Sequence, residues 1–396
     1  MGLRGDAAIV GVAEFAPERK PSKRWMGLAA QAELARLALD DAGIPLGDVN
    51  GLITQSVLGE APFLVPSTVV EYLGIGATFA EVVDLGGATG CAMALRAAMA
   101  IEAGFCDVCV CITDMTMRPP DPRPTDDWAQ DWGGGAWGSP QAEFEIPFGA
   151  IQGTYGYAMI ANRYRHEYGL DPRHLAKIAV DQRTNAQFHP KAFFRGQPIT
   201  IEDVLNSRLI CDPLRLLEIV MPCWGGAAFV VASKERARST NRRPVNIIGA
   251  GEYVTHRSVT YARSLTHSTV KAAADRAFAM AGVKRSEIDM AQIYDCYTIT
   301  ALLTIEDAGF AGKGDGGKFV AAHDLTWGGD FPMNTHGGQL SFGQSGGAGG
   351  TSHIVEAVLQ IQGRAEGRQV PHCDTVYVNG NGGIMSEQAS LVLRGD

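Results

Sequence analysis

The stretch Val245–Glu252 reads VNIIGAGE, and near the start of the chain Ala7–Glu14 reads AAIVGVAE. A second pair of stretches follows them, because Lys271–Ile293 (KAAADRAFAMAGVKRSEIDMAQI) matches Gln31–Ile53 (QAELARLALDDAGIPLGDVNGLI). Each copy has an apolar run typical of a strand, then helical spacing that ends at Ala-Gly, then a second strand. A chance likeness of two ordinary units is disfavoured, because the helix ends and the strand offsets agree together. The chain therefore contains an internal duplication.

This duplication predicts an α/β fold with two similar halves, residues 1–240 and 241–396. Within the first half, strands and helices alternate. Besides the first strand, strands are predicted at Gly51–Leu58, Phe79–Leu85, Val108–Thr113 and Gly225–Ser233, and helices at Leu28–Ala42, Ser67–Leu73 and Thr89–Ala103. Such alternation is typical of a sheet covered by helices on its faces.

One long segment, Asp114–Trp224, interrupts this alternation. It is rich in proline and glycine, and a single helix is predicted near Gly156–Tyr168. We interpret the segment as an insertion in the first half, of the kind that covers or shapes an active site. Its aromatic residues predict a pocket for a large apolar or aromatic group; they are Trp128, Trp132, Trp137, Phe144, Phe148 and Tyr155.

Composition excludes several classes of protein. The 396 residues are 46% hydrophobic and 19% charged, which is too apolar for a disordered chain. The formal charge of −9 gives no electrostatic footprint for nucleic acid. The sequence has no apolar run of the ~18 residues that a membrane span needs, and the run Ala7–Val12 is too short for a signal peptide. We therefore expect a cytoplasmic protein whose eight cysteines are reduced and bind no metal.

Several motifs in order carry a resemblance to a known family. They are Gly86–Gly90 (GGATG), Ser207–Leu214 (SRLICDPL), Ile293–Thr298 (IYDCYT), Glu306–Phe310 (EDAGF), Lys313–Gly317 (KGDGG), Asn334–Gly338 (NTHGG), Gly343–Ala348 (GQSGGA) and Asn379–Gly383 (NGNGG). With the duplication, they resemble the thiolase superfamily, and in particular its branch of sterol-carrier-protein-type thiolases and lipid-transfer-protein aldolases. The resemblance implies a duplicated five-layer αβαβα sandwich, with five strands in each half.

The departures from the family pattern concern its reaction. The resemblance places Gly87 at the position of the thiolase nucleophile, and glycine forms no acyl-enzyme. The activating histidine is replaced by Gln344, which is no general base, and the second cysteine before Asn379 is absent. Cys91 lies about one turn into the helix, so a core residue is the favoured interpretation of it. Claisen chemistry through a covalent intermediate is disfavoured.

What remains is a set of glycine loops that suits a thioester oxyanion. Backbone N–H groups in such loops stabilise an enolate oxygen, although glycine loops are also ordinary tight turns. The resemblance implies substrate-binding roles for residues in four loops, namely Gly87, Thr89, Asn334, Gly346, Asn379, Gly380 and Gly382. Coenzyme A enters as part of the thioester substrate, and we expect no tightly bound cofactor.

An enolate pocket without a nucleophile suits a retro-aldol reaction, which needs a base at the hydroxyl group and a proton donor at Cα. The family's His-Asp pair reads Tyr294-Asp295 here, and the aldolase branch carries a tyrosine at that position. The predicted catalytic residues are Tyr294, Asp295, His336 and Gln344. A plain aromatic at a strand end remains the alternative for Tyr294, and a loop histidine bonded to backbone for His336. The second tyrosine of the aldolase branch is missing from Ser341–Gln344.

Three functions stay open at this point. The first is a carbon–carbon lyase acting on a bulky β-hydroxyacyl-CoA, with a steroid or aromatic side chain as candidate. The second is a divergent thiolase or acyltransferase that acts on a β-ketoacyl-CoA, and the third is a non-catalytic acyl-CoA or lipid-binding subunit. The resemblance also implies a homodimer and a small zinc-ribbon and OB-fold partner that helps to bind acyl-CoA. We expect no membrane partner.

Overall fold

The computed structural model describes residue 3 and residues 5–19, 27–55, 64–115, 140–150 and 153–396. The strands in these residues are β1 (Ala7–Glu14), β2 (Gly51–Thr54), β3 (Phe79–Val82), β4 (Val108–Met115), β5 (Leu209–Cys211), β6 (Leu214–Arg215), β7 (Gly225–Ser233), β8 (Val245–Val254), β9 (Met290–Ile293), β10 (Thr375–Gly382) and β11 (Glu387–Gly395). The helices are α1 (Gly27–Ala42), α2 (Val65–Leu73), α3 (Thr89–Glu102), α4 (Pro140–Phe144), α5 (Thr154–Tyr168), α6 (Pro172–Ala186), α7 (Ile201–Asn206), α8 (Lys234–Ala237), α9 (Val270–Ala281), α10 (Thr298–Asp307), α11 (Gly316–Ala322), α12 (Gly338–Ser341) and α13 (Gly347–Ile361).

Nine of these strands form one sheet, in the order β3-β2-β4-β7-β1-β8-β11-β10-β9. The two halves join where β1 and β8 pair antiparallel through Ala8↔Asn246 and Ile9↔Val245. Outward from this junction the same pairings occur in each half. In the first half β1–β7 and β7–β4 are antiparallel and β4–β2 is parallel. In the second half β8–β11 and β11–β10 are antiparallel and β10–β9 is parallel. The shared strand order supports a division of the chain near residue 240, which stays our proposal.

The second half departs from the expected five strands. β3 pairs parallel with β2 at the outer edge of the first half. Its counterpart is reduced to one parallel bridge between Met333 and Ala291 of β9. The backbone around it is held by Ala291 N–H donating to Pro332 O and Asn334 N–H donating to Ala291 O, each at 3.0 Å. The second half therefore has four full strands and a one-residue remnant of the fifth.

Five layers follow from how the strands expose their faces. Along β1, Ala8 and Val10 pack with α1 and α2, whereas Ile9 packs on the opposite face with α3 and α13. This alternation is the two-residue period of a strand. On the far side, β9 and β10 pack against α9 and α10. α3 and α13 pack against strands of both halves of the sheet, so they form the middle layer. The two halves of the sheet are the layers on either side of them, and the order helix, sheet, helix, sheet, helix is the predicted sandwich.

The insertion lies mainly against the second half. α5 is the helix predicted near Gly156–Tyr168, and α5 and α6 both pack on α10. Ahead of them, Glu145 accepts hydrogen bonds from the hydroxyl groups of Ser258 and Thr260 and from the Thr260 N–H, in the segment after β8. Trp128, Trp132 and Trp137 of the insertion lie outside the described residues. No helix among the described ranges is long and apolar enough to cross a membrane.

Candidate active site

The first turns of α3 and α13 meet in the middle layer. α3 begins at Thr89 and α13 at Gly347, and the two helices are 14 and 15 residues long. Their backbones come so close that a Cβ added to Gly350 would lie 1.9 Å from the carbonyl oxygen of Gly87. The positive ends of two helix dipoles thus converge on one place, which favours negative charge there.

Tyr294 lies at this place, immediately after β9. Its side chain is buried, and its backbone N–H donates to Asn379 O at 3.1 Å. The phenol oxygen accepts a hydrogen bond of 2.7 Å from Nε2 of Gln344. The ring lies directly against the backbone of Gly87. The structure therefore brings together Tyr294, Gln344 and Gly87, which the sequence analysis singled out in three separate motifs.

Burial sets the protonation state of this tyrosine. Removal from water raises the pKa of the Tyr294 phenol well above its usual value, and the negative potential of Cys296 and Asp295 adds to the rise. The hydrogen bond from Gln344 lowers the pKa and does not offset the burial. Because the Gln344 amide already supplies the donor, the phenol proton is free to point toward a substrate. Tyr294 is thus a neutral phenol that can donate a hydrogen bond, and its role as a proton donor stays a prediction.

Asp295 acts on the neighbouring backbone. Its carboxylate accepts hydrogen bonds from the N–H of Gln339 at 2.7 Å and of Leu340 at 3.4 Å. Burial raises the pKa of Asp295 to about 7, and these N–H groups work in the opposite direction. Since its contacts are with the first turn of α12, the geometry supports a positioning role for Asp295; its catalytic role stays a prediction.

Two residues predicted to bind substrate also have side chains that hydrogen-bond to backbone groups. Asn334, at φ 50°, accepts from the N–H of Ile293 and donates to the carbonyl of the same residue, both at 2.7 Å. Thr89 accepts from the N–H of Leu85 at 3.0 Å. Asn334 therefore fastens its loop to β9, and Thr89 closes the turn before α3. Both side chains hold backbone in place, and the binding of substrate at these two residues stays a prediction.

The last predicted loop is part of a strand. Asn379, Gly380 and Gly382 lie within β10, where Gly380 pairs with Ala389 and Gly382 with Glu387 of β11. The missing side chains serve close packing, because a Cβ on Gly380 would lie 2.7 Å from the Ala88 Cα. The glycine pattern was misinterpreted as a loop because a strand seldom carries so many glycines.

The remaining predicted binding residue, Gly346, precedes α13 at φ 56° and ψ −129°, a conformation that favours glycine. It turns the chain from Gln344 into the helix. Its role toward substrate stays a prediction.

His336 is buried but is set back from Tyr294. Its ring packs edge-on against His353 with centroids 4.9 Å apart, and neither ring nitrogen has a hydrogen-bond partner among the described residues. Burial, with a smaller contribution from Arg368, lowers the pKa of His336 to about 3, so the imidazole is neutral. It hydrogen-bonds neither Tyr294 nor Gln344. The predicted second acid–base role gains no support from this geometry.

His353, which the sequence did not single out, is closer to the phenol. Its ring centroid lies 6.0 Å from that of Tyr294. Nδ1 lies 2.9 Å from Oε1 of Gln292, and Nε2 lies 3.7 Å from the Asp295 carboxylate. Burial holds its pKa well below the usual value. No motif marked it, because one histidine on an apolar helix resembles a core residue.

Cys91 does not form a thiolate in this setting. It is buried, and burial raises the pKa of its thiol to about 12, despite a hydrogen bond with the Gly380 backbone. A thiolate nucleophile needs the opposite shift. The described residues also contain no group of three or more His, Cys, Asp or Glu side chains that could hold a metal.

A cluster of basic residues near the start of the chain is a further feature of the sequence. Arg19, Lys20, Lys23 and Arg24 form a basic cluster within six residues. Arg19 lines a cleft together with Pro17, Glu18 and Phe193; the three other basic residues lie outside the described part of the chain.

Comparison with known proteins identifies the family. Residues 251–395 match the family model "Thiolase C-terminal domain-like". A "Steroid side-chain-cleaving aldolase" of Thermomonospora curvata is 34% identical over 91% of this chain and 91% of its own length. A "17-hydroxy-3-oxo-4-pregnene-20-carboxyl-CoA lyase" of Mycobacterium tuberculosis is 34% identical over 91% of this chain and 92% of its own.

A solved structure agrees with these relatives. The complex described as "Ltp2-ChsH2(DUF35) aldolase" contains a chain 31% identical to this one, with a TM-score of 0.86 over 100% of this chain and 99% of that chain. The chain has a thiolase-type α/β sandwich. It belongs to the thiolase superfamily, in the branch of sterol-carrier-protein-type thiolases and steroid side-chain-cleaving aldolases.

The buried carboxyl of Asp295 makes stability depend on pH. Its pKa is about 7 in the folded protein against 3.8 for an ordinary aspartate. Between these values the folded state holds a proton that the unfolded state has lost, so stability falls as pH rises from about 4 to about 7. We expect the free energy of unfolding of wild type, minus that of Asp295→Asn, to decrease over this range. Urea unfolding at several pH values measures it.

The matched control is Asp203→Asn. The Asp203 carboxylate accepts a hydrogen bond from the Thr200 hydroxyl at a helix start, which lowers its pKa. The corresponding difference for this variant should rise with pH only up to about 4 and stay level from about 4 to about 7, because both pKa values lie at or below 3.8. If the Asp295→Asn and wild-type curves run parallel, Asp295 is ionised across the whole range.

Proposed function

We propose that this chain is an acyl-CoA-dependent carbon–carbon lyase, which cleaves a β-hydroxyacyl-CoA by a retro-aldol reaction. One observation carries the proposal: at the position of a thiolase nucleophile stands Gly87, and the neutral phenol of Tyr294 fills the adjoining space, held by Gln344. A site with a buried acid and no nucleophile suits bond cleavage without a covalent intermediate. The steroid-cleaving relatives point to the same reaction class.

The reaction balances with one proton moved at each end of the broken bond. The β-hydroxyl group loses its proton, a carbonyl forms at Cβ, and the Cα–Cβ electron pair becomes the thioester enolate. Protonation at Cα then gives a shorter acyl-CoA and a free ketone or aldehyde. Tyr294 supplies the proton at Cα, and the converging starts of α3 and α13 stabilise the enolate charge. His336 as acceptor of the hydroxyl proton stays a prediction.

We propose a steroid side-chain CoA thioester as the substrate. The name of the Mycobacterium tuberculosis relative specifies a 17-hydroxy-pregnene 20-carboxyl-CoA, in which the hydroxyl group is β to the thioester. The insertion supports a bulky acyl group. Phe148 and Phe144 keep 85% and 61% of their surface exposed beside Glu145, whose contacts fix the segment to the second half. These exposed rings offer an apolar contact to a fused ring system.

The two other candidate functions have less support. An acyltransferase that uses Cys91 as its nucleophile is disfavoured, because burial keeps that thiol protonated; one that works without a covalent intermediate has no observation in its favour. A purely binding subunit leaves unexplained why a phenol and an amide are held 2.7 Å apart in the space beside Gly87.

Removal of one hydroxyl group tests the assignment of Tyr294. Tyr294→Phe keeps the ring in place and should lower the rate of ketone release by roughly 10²–10⁴-fold, because the proton donor is lost. Cys91→Ala should stay within a few-fold of wild type. The measurement is ketone formed from a 17-hydroxysteroid side-chain CoA thioester. Tyr377→Phe is the matched control, since this buried tyrosine bonds Ser390 in the outer core.

The opposite pattern would return the chain to the acyltransferases. That pattern is loss of activity in Cys91→Ala with an unchanged melting curve, little effect of Tyr294→Phe, and an acyl adduct on intact protein.

A second polypeptide is the next part of the proposal. The solved neighbour is a complex with a DUF35 protein, and we propose that this chain works with a partner of the same kind, with the zinc-ribbon and OB-fold parts that the resemblance implies. Co-expression with a DUF35 protein of this kind should give a stable complex by gel filtration and a KM for the acyl-CoA at least several-fold lower. Equal KM and kcat with and without that protein would contradict the idea.

We also propose a homodimer, formed through the outer edge of the first half. Val108–Thr113 and most of α3 are buried within one subunit, so a contact with a second subunit is more readily placed elsewhere. β3, however, ends the sheet, and Phe105, which contacts Phe79 of β3, is 60% exposed. An open sheet edge with apolar residues suits pairing across a two-fold axis. Light scattering should give twice 42.2 kDa; a stable monomer at micromolar concentration would exclude the dimer.

A further inference from the structure

The Cα of Gly87 faces an occupied space. An ideal Cβ at this residue would lie 2.3 Å from both Cε2 and Cζ of the Tyr294 ring, and 2.5 Å from the carbonyl oxygen of Asn381. Real Cβ contacts are never that short, so any side chain at residue 87 must displace one of these groups. The ring edge that it meets carries the phenol hydroxyl.

The tyrosine ring has little freedom to withdraw. It is 4% exposed, its hydroxyl is bonded to Gln344, and its backbone N–H is bonded to β10 through Asn379. Behind it lies the ring of His353. Displacement would break the Gln344 hydrogen bond, because that bond fixes the end of the ring closest to Gly87.

The backbone at Gly87 does not itself require glycine. Gly86, one residue earlier, has φ 52°, in the left-handed region that favours glycine. Gly87 is outside that region, so other residues can adopt its backbone conformation. The reason for glycine at residue 87 is therefore space and not backbone conformation.

We propose that Gly87 is the residue that determines the reaction of this site, acting as a positioning residue for Tyr294. The phenol occupies the volume that a nucleophilic side chain at residue 87 would need, so the two catalytic solutions exclude each other. The chain holds a proton donor where a covalent catalyst holds its nucleophile. This inference rests on the proposed lyase function and adds what selects it.

A double-mutant cycle on stability tests the exclusion. Gly87→Ala in wild type should lower the melting temperature by several degrees, because one methyl group is forced against the ring. In a Tyr294→Ala background the same change should cost clearly less; the remaining cost comes from the Asn381 carbonyl. Gly76→Ala is the matched control, since a Cβ there meets no atom within 4 Å and φ is not positive; its melting temperature should equal that of wild type.

Each outcome of the stability cycle either supports or overturns the proposal. Equal costs in both backgrounds would overturn the proposal. If Gly87→Ala alone fails to fold, a folded Gly87→Ala/Tyr294→Ala protein supports it. If neither folds, the Asn381 carbonyl is the obstacle and the pairing with Tyr294 is overturned.

Kinetics distinguish a positioning residue from a merely structural one. Gly87→Ala should reduce kcat for ketone release by roughly 10–100-fold, since small misplacement of a catalytic group has effects of this size, with KM within a few-fold. Tyr294→Phe added to Gly87→Ala should cost far less than in wild type. Full, independent losses would contradict the inference. Absence of lyase activity in wild type would instead refute the proposed function, and the stability cycle would still test the packing.

Discussion

The site depends on the contact of three backbone segments without intervening side chains. Gly87 before α3 belongs to the first half, whereas Gly350 in the first turn of α13 and Gly380 in β10 belong to the second, and each lacks a Cβ where a neighbouring group passes. A methyl group at any of them would separate the segments. Because the helices approach this closely, two dipoles act on one small volume, and a residue from a third element can be held between them.

The resulting site is polar, but its titratable side chains carry little charge. Tyr294, His336 and His353 are all neutral, since burial penalises the charged form of each group. The neighbouring carboxyl of Asp295 accepts hydrogen bonds from backbone N–H groups. A developing enolate would therefore be the main negative charge in the site, and fixed dipoles and donors are already aimed where it forms. Such an arrangement needs little reorganisation during the reaction.

The sequence predicted more of the fold than of the site, for a physical reason. Strand order follows from local periodicity repeated twice, so the duplication at Ala7 and Val245 was enough to predict matching halves. The role of Asn334 depends on a backbone from another element, and no local pattern encodes it. The same holds for β10: strand pairing with β11, and not composition, decides that Asn379 and Gly380 are extended. Tyr294 was found because a motif marks it, whereas its contact with Gly87 required coordinates.

The shortened edge of the second half has a consequence for assembly. A duplicated sheet with two equal free edges would add copies at both ends and grow without limit. Here one end carries only a bridge at Met333, preceded by Pro332, which has no N–H to offer a further strand. Growth by strand addition is therefore possible at one end alone, and a chain that associates through a single edge closes after two copies. The shortened edge thus limits strand addition at that end of the sheet.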